Sequence, residues 1–120
     1  MITTAFRITG PTYALSVAAT QHADVAIKAP NNETCNYALF LNTGATSVCV
    51  VTAPNGNATP TVVFPVDATP TDPNSFVLPP LMTTPLAVSV QCAGPQGYNV
   101  AAIGSAAGPS IIYVTPIGSL

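Results

Sequence analysis

Tyr13-Ala14-Leu15-Ser16-Val17-Ala18 alternates larger apolar side chains with small ones, and a period of two is the mark of a strand with one buried face. Tyr13, Leu15 and Val17 share one side of that strand, and Ala14, Ser16 and Ala18 share the other. The same spacing predicts inner faces made of Tyr37, Leu39 and Leu41, of Val62, Phe64 and Val66, and of Leu86, Val88 and Val90. In the last set Ala87, Ser89 and Gln91 point the other way. Extended segments are also expected over Ile2 to Ile8, Val25 to Lys28, Val48 to Thr52, Ser75 to Leu78, Tyr98 to Ile103 and Ile111 to Thr115, for a total on the order of ten short strands.

Thirteen prolines and eight glycines are spread through the 120 residues, so a long helix would meet a breaker wherever it started. Strands with no helix to cover them must bury their apolar faces on one another. The sequence therefore predicts an all-β fold, a two-sheet antiparallel β-sandwich of jelly-roll-like type. Turn chemistry places the joints. Asn42-Thr43-Gly44 is expected to link the strand ending at Leu41 to the one beginning near Val48, since Asn and Gly tolerate positive φ. Pro54-Asn55-Gly56-Asn57 is a second such signal. Gly94 to Gly97 and Gly104 to Pro109 give the last third of the chain the look of a strand-turn-strand meander.

The length and the even scatter of apolar residues predict one domain over residues 1–120. A chain of this size removes about two-thirds of its unfolded surface from water without needing disulfides or metal. Within it, about residues 53–85 stand apart: Pro54, Pro60, Pro65, Pro70, Pro73, Pro79, Pro80 and Pro85 each lack a ladder donor. That segment is expected to be edge strand and loop. Val62, Phe64, Phe76 and Leu78 within it argue against a solvated linker, which would not need them.

Charge is the outlying quantity. Only 5% of residues are ionised, with a net charge of -2, against roughly 25% in an ordinary soluble domain. A surface of Thr, Asn, Ser, Ala, Pro and Gly is cheap to desolvate, which predicts burial against neighbouring subunits. Arg7 and Lys28, the two basic residues, cannot neutralise a run of phosphates, so nucleic acid is not an expected partner. The apolar runs fall far short of the ~20 residues of a membrane-spanning helix, and Met1 to Arg7 lacks the layout of an export signal. A protein made in the cytoplasm and not bound to membrane is expected.

The chemistry-bearing residues are few. His22 stands near Asp24, but no nucleophile elbow or carboxylate pair accompanies it, so no catalytic residue is assigned and an enzyme is not expected. Cys35, Cys49 and Cys92 lack paired metal-ligand spacing and are expected to be small buried hydrophobes, with one disulfide pair among them as the alternative and with neither metal nor cofactor. Asn32-Glu33-Thr34 and Asn57-Ala58-Thr59 match the glycosylation pattern, which has no consequence without export.

One likeness extends this reading. Tyr37-Ala38-Leu39-Phe40-Leu41-Asn42-Thr43-Gly44 followed by Ser47-Val48-Cys49-Val50-Val51, then Phe76-Val77-Leu78-Pro79, Val100-Ala101-Ala102-Ile103-Gly104 and Ile112-Tyr113-Val114-Thr115-Pro116-Ile117-Gly118-Ser119-Leu120, resembles small head proteins of tailed phages. The likeness covers the chain from Tyr37 onward and departs at Ile117 and Ser119, where the family pattern carries glycine and an acidic residue. It implies a capsid decoration or cement protein that sits on the outside of a virion and bridges copies of a major capsid protein, with other copies of itself as a second partner. A tail component or an Ig-like surface binding module is the alternative. Contact residues are expected at the proline-rich stretch, with Thr59, Pro60, Thr61, Pro70, Thr71 and Pro73 as the candidates, together with the two termini.

Overall fold

The computed structural model describes residues 6–20, 22–28, 37–54, 62–68, 75–90, 97–106 and 108–119. Nine strands run through them: β1 (Phe6–Ile8), β2 (Tyr13–Val17), β3 (His22–Ile27), β4 (Tyr37–Asn42), β5 (Val48–Pro54), β6 (Ser75–Leu78), β7 (Leu86–Ser89), β8 (Tyr98–Gly104) and β9 (Ser110–Ser119). All pairings are antiparallel. One sheet holds β9 with β1 and β2 on one side and β4 then β7 on the other, and the second has the order β3-β8-β5-β6. The expected all-β sandwich is therefore the fold.

Its wrapping is that of a jelly roll. Strand β2 pairs with β9, β3 with β8, β4 with β7 and β5 with β6, a nested set that rolls one long antiparallel ribbon into two facing sheets. Among the described strands only β5 and β6 are consecutive and hydrogen-bonded to each other. Strands β1 and β2 follow one another along β9 in a single sheet, and the chain switches sheet at all the remaining joints. This corrects two expectations. The turn at Asn42-Thr43-Gly44 is a corner that carries the chain from β4 in one sheet to β5 in the other, and the last third is a crossing β7, β8, β9 path, not a meander. Corners and hairpins use the same turn residues, so local chemistry located the joint and could not say which sheet follows. The order also differs from the immunoglobulin arrangement, in which strands F and G lie side by side in one sheet.

The two inner faces meet in one core: Leu15 and Val17 of β2, Ala38 and Phe40 of β4, Ile112 and Val114 of β9 face Ile27, Val48, Val50, Leu78, Tyr98, Val100 and Ala102 of the other sheet. Phe40 and Phe76 bridge the layers edge to face, with centroids 5.2 Å apart and planes at 72°. That geometry sets the positive edge of one ring against the negative face of the other. The period-two reading holds for β2 and, in the third set, for Val88 of β7 and Val90 just after it, but Leu86 at the start of β7 is 43% exposed and not part of that core. In β4 it inverts: Ala38, Phe40 and Asn42 are fully buried, whereas Tyr37, Leu39 and Leu41 are half-buried on the outer face. Both faces of this central strand are apolar, so alternation by itself could not choose between them.

The segment Val62 to Ala68 is a strap and not the expected strand, with a single bridge residue at Val66. Val62 is buried and Phe64 packs with it on Cys49, Val51, Ala101 and Ile103, which face away from the main core. Val66 is 65% exposed.

Among the described residues each sheet edge is short or interrupted, which limits uncontrolled strand addition. Gly10-Pro11 separates β1 from β2 along the same edge of β9, β3 is bulged between His22 and Val25, β6 runs into Pro79-Pro80, and Pro85 precedes β7. The core makes a direct prediction. Phe40→Ala removes both the ring contact and the filled volume, and urea denaturation is expected to register a loss of about 3–5 kcal/mol. Leu81→Ala, at a residue outside the core, is expected to lose less than about 0.5 kcal/mol.

Candidate interaction surfaces

The joint after β4 is built around one buried amide. Asn42 is fully buried. Its Nδ2 donates to the Thr46 carbonyl at 2.9 Å and the Pro79 carbonyl at 3.1 Å, and its Oδ1 accepts from the Gly44 N–H at 3.1 Å. Its backbone N–H reaches the Met82 sulfur at 3.3 Å, and its carbonyl accepts from the Met82 N–H at 2.9 Å. An amide with two donors and an acceptor suits this place, because two loops bring carbonyls and one brings an N–H.

Ser110 performs the neighbouring task. Its Oγ lies 2.6 Å from Thr46 Oγ1, donates to the Thr46 carbonyl at 3.1 Å and accepts from the Thr46 N–H at 3.2 Å. Thr43 donates to the Ile111 carbonyl through both its N–H and its hydroxyl. The backbone adds Ser105 N–H to Ser47 carbonyl and Gly104 N–H to Ala18 carbonyl. The loops after β2, β4, β6 and β8 are thus stitched into one end of the sandwich. Gly44 is required there by close approach: a Cβ would sit 2.6 Å from the Ser110 Cα, which is backbone and cannot turn aside.

From this end Leu81 projects. It has φ 54, a left-handed conformation that costs a side-chain-bearing residue about 1–2 kcal/mol, and its side chain is 67% exposed. The Leu81 N–H donates to the Gly44 carbonyl at 2.9 Å. Sequence reasoning missed this residue. The signal was a large apolar side chain directly after Pro79-Pro80 and outside any alternation, where a turn gives it no core to enter.

A second surface is the outer face of the β9 sheet. Register places Ala14, Tyr113 and Leu41 in one row across β2, β9 and β4, and Thr115, Leu39 and Ala87 in another across β9, β4 and β7. Ile111 and Tyr113 are exposed on it by 43% and 36%. None of these side chains carries a charge. Including Ile8, Val63, Val66, Val77, Leu81 and Leu86, eight large apolar side chains are exposed among the described residues.

Thr59, Pro60, Thr61, Pro70, Thr71 and Pro73 lie outside the described residues, as do the terminal residues 1–5 and 120. Cys35 and Cys92 also lie outside them, while Cys49 is a free, buried cysteine on β5. Burial pushes its thiol above the ordinary value, which lowers the thiolate fraction at any pH and makes it a poor nucleophile. The backbone of His22 pairs with Ala102 in the β3-β8 ladder. Among the described residues no three His, Cys, Asp or Glu side chains come together as a metal site, and no helix is long and apolar enough to cross a membrane. No family model, curated protein or solved structure matches the chain.

Two measurements follow from this geometry. Asn42→Ala strands two carbonyls and an N–H, and thermal or urea unfolding is expected to show a loss of about 2–4 kcal/mol, with Gly44→Ala also destabilised and not rescued by Ser110→Ala. In a Cys35→Ser/Cys92→Ser background, Cys49 is expected to react with a thiol reagent only at the rate of opening of the fold. Labelling at the rate of a small free thiol would show the strap to be open.

Proposed function

We propose that this chain is a non-enzymatic structural protein that binds the outside of an assembled viral capsid and cements neighbouring major capsid subunits. One observation carries the reading: eight large apolar side chains are exposed among the described residues of a chain with two basic and four acidic residues in 120. A surface this poor in ions, with Ile111 and Tyr113 exposed on an uncharged sheet face, suits a permanently docked domain. Neutral hydroxyl and amide groups are desolvated at low cost, and buried apolar area supplies the attraction.

A cement protein needs contact area and no catalysis. It stabilises a shell by binding the assembled lattice in preference to separated subunits, by the same linkage that lets any ligand favour the state it binds. Each copy that touches two subunits gains avidity, so modest individual contacts suffice in a repeating lattice. The short, interrupted edges suit this role, since a protein present in many copies must not polymerise through its own strands. The likeness of the stretches from Tyr37 onward to small phage head proteins points the same way.

The test is quantitative mass spectrometry of capsids banded on a density gradient from the native source. A copy number near a simple fraction of the main shell subunit is expected. Absence from the shell, or a handful of copies per particle, would replace this reading with a tail component or a free binding domain.

A further inference from the structure

Leu81 combines a left-handed backbone with an exposed apolar side chain. Its backbone is left-handed at φ 54, a conformation that glycine adopts without penalty, yet the position holds a leucine whose side chain is 67% exposed and outside the core. Strained residues of this kind persist where the surroundings over-determine them, and the strain then serves recognition.

The surroundings here do over-determine it. The Leu81 N–H is held by the Gly44 carbonyl and the next N–H, of Met82, by the Asn42 carbonyl, both at 2.9 Å. Asn42 is itself buried and bound to the loops on either side. The side chain is therefore offered from a fixed platform, and little backbone order remains to be lost when it is covered.

Charge indicates what covers it. The described residues of the surrounding loops, 18–20, 43–47, 79–85, 105–106 and 108–109, include no ionisable side chain. Apart from the buried Cys49, the one ionisable residue adjoining them in sequence is His22 at the start of β3. A partner with the ordinary charge density of roughly a quarter of its residues would strip ions of water against this end and find no counter-charge. This chain's own surface, with its two basic and four acidic residues, carries little such penalty, and a net charge of -2 gives two copies weak repulsion.

We propose that Leu81 anchors a contact between two copies of this chain, neutral end against neutral end about a two-fold axis, so that each leucine is buried by the other copy. The proposal goes beyond the shell reading and does not rest on it, because the purified chain is its own probe.

Sedimentation velocity over about 1 μM to 1 mM protein is the test, with wild type, Leu81→Gly, Leu81→Asn and Leu81→Met. Wild type and Leu81→Met are expected to dimerise, and the Gly and Asn variants to weaken dimerisation at least about tenfold. Asn tolerates the left-handed conformation, so its loss of dimer reports the missing apolar contact and not misfolding. At the lowest concentration, where all four are monomers, Leu81→Gly is expected to unfold a few degrees above wild type as the strain is released. A wild type that stays monomeric throughout, Gly and Asn variants that associate as wild type does, or a Gly variant less stable than wild type at low concentration would each overturn the proposal.

Discussion

The structure depends on burial between its two sheets, concentrated where Phe40 of β4 meets Phe76 of β6. Because most consecutive strands lie in different sheets, few local hairpins exist to hold the layers independently. Each sheet keeps its strands in register only while its inner face is covered by the other, since a one-residue slip would turn Phe40 or Val114 out to water. The core thus specifies the hydrogen-bond ladders as much as the ladders carry the core.

Around that core the protein uses polar groups in two opposite ways. Inside, Asn42 and Ser110 satisfy the Gly44 N–H, the Thr46 N–H and carbonyl and the Pro79 carbonyl, which ties the corner after β4 to the neighbouring loops. Outside, hydroxyls, amides and prolines replace ions, which leaves a surface that water holds only loosely. The same residue types that make turns also make this surface, so one compositional bias serves both the jelly-roll corners and the neutral exterior.

Much of this was legible in the sequence. Tyr13, Leu15 and Val17 announced a strand and its inner face, and the prolines between Ala53 and Pro85 marked edge strand and loop, whereas the alternation of Val62, Phe64 and Val66 suggested a strand where the chain forms a strap. Val62 and Phe64 were rightly read as wanting cover, although their partners, Cys49 and Ala101, lie on the far side of a sheet that alternation alone could not place. The strand YALFLN misled because Tyr37, Leu39 and Leu41 outnumber Phe40 in apolar bulk, and only the depth of the opposing layer favours Phe40 and Ala38 inside. Asn42 was taken for a simple turn residue, since a side chain's burial depends on the loop from β6 to β7, which arrives some 40 residues later in the chain. Leu81 was passed over because its sequence signal, a large apolar residue after Pro79-Pro80 outside any alternation, is weak, and its left-handed φ shows only in the structure.

The nested order of strands also governs how the molecule can be made. Strand β9 is the backbone partner of β1, β2 and β4 at once, so one whole sheet lacks its central member until residues 110–119 have left the ribosome. The β5-β6 pair can form earlier, but the N-terminal strands must wait, with their apolar faces open, for a partner about 100 residues downstream. For this fold the dangerous interval is synthesis itself, when β2 and β4 are exposed and sticky. A low-charge chain has little repulsion to keep such nascent copies apart, so the late arrival of β9 is the step at which self-association competes with folding.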